Sequence, residues 1–201
     1  MSLIRDIEKI KSSEVKELIA SRIKEFESVD KKQAAKEICF CITTANCSAE
    51  RCIEIQQKLK HKLKKLDAKQ MQKELKRLGY RYHNRAPYLV EACKNKELVK
   101  AIEEKQEFEL REWLAKNIKG LGFKEASHFM RNIGYKDVAI IDFHIIDLLE
   151  RYNILERPKT MTKARYMEIE QRLREIARKA KLNLAELDLY LWYIETGKVL
   201  K

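Results

Sequence analysis

The chain has 201 residues, with 43 Lys plus Arg against 31 Asp plus Glu, a formal charge of +12. That length allows one or two small domains with a sizeable core, and 45% apolar residues against 37% charged ones predict a folded chain rather than a disordered one. Five Gly and two Pro are too few turn residues for an all-β sandwich, no apolar run approaches the ~18 residues of a membrane span, and the first residues lack the apolar core of a signal peptide.

An all-α, cytosolic protein with no membrane partner is therefore expected. Apolar residues recur at helical spacing almost throughout. Ile4, Ile7, Val15, Leu18, Ile19, Ile23 and Phe26 predict one or two N-terminal helices. Ala34, Ala35, Ile38 and Ile42 predict the next, and Ser48 can cap a helix carrying Ile53, Ile55, Leu59 and Leu63. Asp67 with Gln70 three positions on is a capping box, Leu66 and Met71 can staple it, and Gly79 closes that helix. Pro87 suits the first turn of a helix through Leu89, Val90 and Cys93; Phe108, Trp113, Leu114 and Ile118 mark another. Gly120 and Gly122 then bracket Leu121, a helix is predicted over 123–133, and Gly134 stops it. Val138, Ala139, Ile140 and Ile141 read as an extended link. Asp142 caps a helix through Leu149, a polar helix covers 162–180, and Asn183 with Glu186 opens the last one, ending at Gly197.

The surplus of positive charge points to a polyanion, nucleic acid being the commonest, although charge alone does not separate this from a basic, soluble surface. Four of the five cysteines (Cys39, Cys41, Cys47, Cys52 and Cys93) lie within fourteen positions. Their C-x-C-x5-C-x4-C spacing matches no common zinc pattern, so small buried hydrophobes are expected rather than a metal site. No cysteine follows Cys93, so the C-terminal half cannot carry a four-cysteine iron–sulfur cluster.

Chemistry concentrates between Trp113 and Leu149. Two glycines in a tight hairpin let one backbone approach another, and the amides of the helix after it can hold a phosphate. Lys124 sits in the first turn of that helix, where backbone dipoles and partial burial disfavour a positive charge and favour a nucleophilic amine. Asp142, at a helix N-terminus, is held ionised and suited to stabilising a developing cation. Taken singly, each also has a bland reading: a lysine among many, and a good N-cap.

Together, Gly120-Leu121-Gly122-Phe123-Lys124 and Ile140-Ile141-Asp142-Phe143-His144 resemble the G-[VL]-G-x-[KR] … [VI]-D-x-H signature of the helix–hairpin–helix DNA glycosylases. The absent C-terminal cysteines, the lysine and the helical N-terminus narrow the resemblance to the compact archaeal and bacterial 8-oxoguanine DNA glycosylase/lyases, whose ending Leu191 to Lys201 also resembles. The resemblance implies a base-excision repair enzyme acting on duplex DNA containing 8-oxoguanine, without metal or cofactor, and associated with the nucleoid through DNA. Lys124 would attack the sugar C1′ and Asp142 would stabilise the cation. Gly120 and Gly122 would anchor a DNA phosphate. Asn84 and Arg85, in the run Tyr80 to Tyr88, would fill the gap left by the flipped base, and Asn46 and Ser48 would contact DNA. Trp192, Phe143, His144 and the terminal Lys201 would meet the extruded base. The architecture expected is two helical domains flanking a cleft: residues 31–134, ending in the helix–hairpin–helix motif, and residues 1–30 with 135–201. A monomer is the default. Two alternatives stay open: a relative acting on an oxidised pyrimidine, uracil or alkylated base, and a non-catalytic DNA-binding helix–hairpin–helix protein.

Overall fold

The computed structural model describes residues 2–30, 34–44 and 47–201; Asn46 lies outside them. Among the described residues the regular structure is helical, with no strand. The chain divides into two compact units, one formed by Val29–Ile133 and the other by Met1–Ser28 with Gly134–Lys201.

The first unit contains α3 (Ala35–Thr44), α4 (Ala49–Leu59), α5 (Ala68–Arg77), α6 (Ala86–Lys94), α7 (Glu97–Glu104), α8 (Glu107–Asn117) and α9 (Phe123–Asn132), with a 3₁₀ turn at His83–Arg85. α3 is its centre. Ile38, Cys39, Phe40, Cys41 and Ile42 are all buried, so the helix is apolar on every side and is covered by α4, α6 and α9. Cys39, Cys41, Cys52 and Cys93 sit in this core as free thiols. Cys39 and Cys93 hydrogen-bond each other, and that contact with burial pushes the Cys39 thiol well up. Ser48 caps α4 through Arg51 N–H, and Asp67 and Gln70 form a reciprocal capping box at 2.8 and 3.0 Å. Sequence periodicity does not reveal α7. It buries only Leu98, Ala101 and Ile102 in a charged stretch too short to show a repeat. Phe108, read with Leu114 and Ile118 as apolar positions of this helix, is 46% exposed; Leu114 and Ile118 are buried, together with Leu110 and Arg111.

The second unit contains α1 (Leu3–Lys11), α2 (Val15–Glu27), α10 (Phe143–Arg151), α11 (Lys163–Ala180) and α12 (Leu184–Thr196). α12 is its hub, packing on α1, α2, α10 and α11 and burying Leu184, Leu187 and Leu191. Asn183 and Glu186 cap it reciprocally, both bonds at 2.9 Å. On α2 the buried stripe is Ile19, Ile23 and Phe26; Leu18, one position off that stripe, is 58% exposed.

Gly134 starts this unit's long segment with φ +94°, and a Cβ there would lie 3.2 Å from Glu27 Cα and 3.4 Å from the Phe26 carbonyl. Both neighbours are backbone and cannot swing aside. Gly134→Ala is therefore expected to destabilise the protein by about 1–3 kcal/mol, read by thermal or denaturant unfolding. On α5, hydrogen bonds from Arg77 and Lys62 hold the Glu74 carboxyl down to about 2. A depressed carboxyl contributes stability that is present above its unfolded value and lost as pH falls through its folded one. The stability gap between wild type and Glu74→Gln should thus be full at neutral pH and close between about pH 4.5 and 2 in urea titrations.

Candidate active site

The hairpin between α8 and α9 packs closely against side chains of α6 and α3, not against another backbone as the paired glycines suggest. Gly120 has φ +89°, and a Cβ there would stand 3.1 Å from Tyr88 Cδ2 and 3.5 Å from Ile42 Cγ2. Leu121 is buried and anchors the turn, with its N–H on the Ile118 carbonyl at 3.2 Å. Helix α8, this turn and α9 form a helix–hairpin–helix. Beneath it Arg111, almost fully buried, lies 5.2 Å from the Phe123 ring centre and reaches Ser127 Oγ at 3.4 Å. The first turn of α9 therefore rests on a fixed cation.

Lys124 occupies that turn with its side chain 23% exposed. Its Nζ stands 3.5 Å from Glu125 Oε1, while Glu125 Oε2 accepts the Gly122 N–H at 3.1 Å. Glycine has no side chain to return the bond, so this is half of a capping box. One carboxylate thus bridges the hairpin amide and the amine. The helix amides and the burial around Lys124 are legible in the sequence; this counter-charge one residue on is not among the features that the motif displays.

Asp142 caps α10, its Oδ1 accepting Ile145 N–H at 3.0 Å. Its other carboxylate oxygen makes no hydrogen bond among the described residues. The link before it, Val138 to Ile141, is buried and belongs to no helix, and its backbone polar groups need partners. These come from α11. Tyr166 Oη donates to the Ala139 carbonyl at 2.7 Å and accepts Ile141 N–H at 3.2 Å. Glu170, 1% exposed, accepts Ala139 N–H at 3.0 Å and is held by Arg174 at 3.1 Å. Arg174 also bonds the Asp137 carbonyl and carboxylate. Neither Tyr166 nor Glu170 stands out in the sequence. Their i, i+4 spacing on one face of a polar helix is the available signal.

Immediately after Asp142, Phe143 is 61% exposed and packs on His144 with ring centres 4.0 Å apart. His144 in turn meets Trp192 of α12 edge-on at 5.2 Å. The Trp192 indole N–H is buried without a hydrogen-bond partner among the described residues. Phe143, His144 and Trp192 are thus one cluster; Lys201 is half-buried in the same unit.

In the other unit the loop before α6 is tied to the C-terminus of α3. Tyr80 Oη donates to the Thr43 carbonyl at 2.9 Å, and Arg85 Nη1 to the Ile42 carbonyl at 2.9 Å. The Arg85 guanidinium also lies 5.3 Å from the Tyr82 ring centre. Arg85 is therefore engaged in bracing the loop, and Asn84 is the exposed residue beside it. Ser48 serves α4 as its cap.

A family model described as 8-oxoguanine DNA glycosylase matches residues 19–182. The chain is 50% identical to an 8-oxoguanine DNA glycosylase/AP lyase of Korarchaeum cryptofilum, over 99% of this chain and 98% of that one. It is 48% identical to the enzyme of that name from Methanocaldococcus jannaschii, over 100% of both. The crystal structure of the M. jannaschii 8-oxoguanine glycosylase/lyase in complex with a 15mer DNA containing 8-oxoguanine matches with a TM-score of 0.94 and 46% identity, over 100% of both chains. The 8-oxoguanine DNA glycosylase of Thermotoga maritima matches at 0.91 and 36%, over 99% and 98%. A lysine-bearing helix–hairpin–helix is thus set in a fold shared over the full length of these enzymes. The chain belongs to the 8-oxoguanine DNA glycosylase family.

Tyr166→Phe removes the hydroxyl that satisfies both Ile141 N–H and the Ala139 carbonyl. It is expected to destabilise the protein by about 1–3 kcal/mol, measured by denaturant unfolding, and to disturb Asp142 in proportion.

Proposed function

We propose that this protein excises 8-oxoguanine from duplex DNA and then cleaves the strand at the abasic site, with Lys124 as nucleophile and Asp142 as its electrostatic partner. The observation that carries the reading is Lys124 in the first turn of the helix after the two-glycine hairpin, in a chain that matches 8-oxoguanine DNA glycosylase/AP lyases end to end.

An amine and a carboxylate suffice for the chemistry. The damaged nucleotide must leave the stack before its C1′ can be reached. Lys124 attacks as the neutral amine, any proton on Nζ having passed to water, and Nζ bonds to C1′ as the C1′–N9 bond breaks. The electron pair leaves with the base, which is protonated on departure. Positive charge builds on the sugar, and the Asp142 carboxylate opposes it. The attached amine then collapses with ring opening to an iminium. Loss of a C2′ proton expels the 3′ phosphate by β-elimination, and hydrolysis frees the lysine. Every step uses the chain's own groups and water.

The remaining residues take supporting roles. The Gly120–Gly122 hairpin, with the α9 N-terminus behind it, suits a DNA phosphate. The Phe143, His144 and Trp192 cluster offers ring faces to an extruded purine, and the unpartnered indole N–H is a donor for it. Lys201 is likewise assigned to the extruded base, and Asn84 to the gap left in the duplex. Arg85 and Ser48 support their loops, and any DNA contact they make is through the surfaces left over from those bonds. Asn46 keeps its assignment to the DNA interface from the sequence alone.

The test uses a duplex with a single 8-oxoguanine, with and without borohydride. Wild type is expected to release the base, nick the strand and form a trapped covalent complex. Lys124→Gln should lose trapping and nicking altogether. Asp142→Asn should slow base release on the order of 100-fold or more while still binding the duplex. Full trapping by Lys124→Gln would remove the lysine from its role. Trapping of wild type on an abasic duplex alone would keep the lyase and change the lesion.

A further inference from the structure

The positive charge of the chain is concentrated in one place. Residues 58–77 hold nine Lys or Arg and two acids, a net +7 of the chain's +12. The stretch covers the end of α4, the turn after it and the whole of α5. On α5 the buried side is Met71 and Leu75. Lys69, Lys73 and Lys76 lie at i, i+4 and i+7, a single stripe away from that buried side, and all three are exposed. None of them has a hydrogen-bond or ion-pair partner among the described residues. The acid on α5, Glu74, is already engaged by Lys62 and Arg77. Nothing anionic on the helix answers the stripe.

Like charges at i, i+4 oppose helix formation, so such a stripe burdens the free protein. A polyanion lying along it removes the burden. The stripe also has a direction. At its C-terminal end Gly79 turns the chain into the loop that carries exposed Arg81 and Asn84, the loop assigned above to the disrupted duplex. The stripe is thus continuous with a proposed DNA contact, and it spans about 10 Å of helix, at 1.5 Å per residue.

We infer that Lys69, Lys73 and Lys76 form a second DNA-binding surface, which takes the phosphate backbone of the duplex beyond the lesion, irrespective of sequence or damage. This rests on the reading of the protein as a duplex-DNA enzyme. Its contribution is grip: counterions released from the phosphates hold the protein on undamaged as well as damaged DNA. It takes no part in the bond-breaking steps.

The experiment compares wild type with the triple variant Lys69→Gln, Lys73→Gln, Lys76→Gln on two 25-mer duplexes, one undamaged and one with 8-oxoguanine. A control triple, Lys9→Gln, Lys16→Gln, Lys24→Gln, removes the same charge from α1 and α2. Binding is measured over a series of salt concentrations. The stripe variant should bind both duplexes at least 10-fold more weakly at low salt, and its slope of log affinity against log salt should shrink by about 2–3. The single-turnover rate of base release at saturating enzyme should stay that of wild type, as should the unfolding temperature. Equal slopes for wild type and stripe variant would overturn the inference, and so would an equal loss in the control triple, which would assign the effect to overall charge. A slower saturated base release would also count against it, because the stripe would then belong to the chemistry. If wild type itself neither binds nor cleaves the lesion duplex, the glycosylase reading falls first, and the two failures are told apart.

Discussion

Buried backbone has to be hydrogen-bonded, and residues 138–141 must meet that demand with no strand among the described residues to pair with. The link is apolar because it runs through the interior, yet its amides and carbonyls are as polar as any. Side chains from one face of α11 take the place of a partner strand. The Tyr166 hydroxyl serves one donor and one acceptor, and Glu170 serves the Ala139 amide. Because Glu170 is buried, its charge needs an answer, and Arg174 supplies it while also gripping Asp137, the residue that opens the link. Asp142 emerges from the last fixed residue of this ladder and begins a helix at once. Its position is thus set on both sides, by α11 before it and by its own capping bond after it.

The hairpin reaches a comparable rigidity by different means. There the constraint is space: Gly120 sits where a Cβ would strike the Tyr88 ring, and Leu121 is sunk into the core. Arg111 fills the volume under the first turn of α9 and spreads its charge over the Phe123 face, a geometry that a guanidinium tolerates in a low-water setting better than an ammonium would. Glu125 then joins hairpin to lysine. Its two oxygens serve the Gly122 amide and the Lys124 amine, so the backbone proposed to meet a phosphate and the amine proposed to attack the sugar share one carboxylate.

Much of this is legible in the sequence, and the part that is not has physical reasons. Caps declare themselves, because a Ser, Asp or Asn at the head of an apolar repeat has one local use. Ser48, Asp67, Asp142 and Asn183 all act as read. The motif around Lys124 and Asp142 is legible because its residues are close in the chain. The α11 partners of the link lie 25 to 31 positions away from it, and no local pattern reports a bond of that range. Arg85 escapes for a related reason. An arginine in a polar, aromatic loop reads as a ligand for something outside, but its acceptor is the Ile42 carbonyl, 43 positions upstream. Leu18 and Phe108 read as core on hydrophobicity alone, although the stripe beside each already fills the interface.

Arg85 and Tyr80 also change how the loop before α6 is understood. Each bonds a carbonyl in the last turn of α3, where the helix has acceptors left without intrahelical donors. Two unmet needs are settled together: α3 gains a C-terminal cap, and the loop gains an anchor in a largely buried helix of its unit. A loop proposed to press into a base stack has to resist yielding, since unstacking draws on a few kcal/mol. Its stiffness comes from its base, in the Tyr82 ring against Arg85 and the two bonds to α3, while Asn84 stays uncommitted at the surface. The residues that make the run look like a nucleic-acid contact thus divide by function: the ring and the cation hold the loop in shape, and the small amide is left to reach outward.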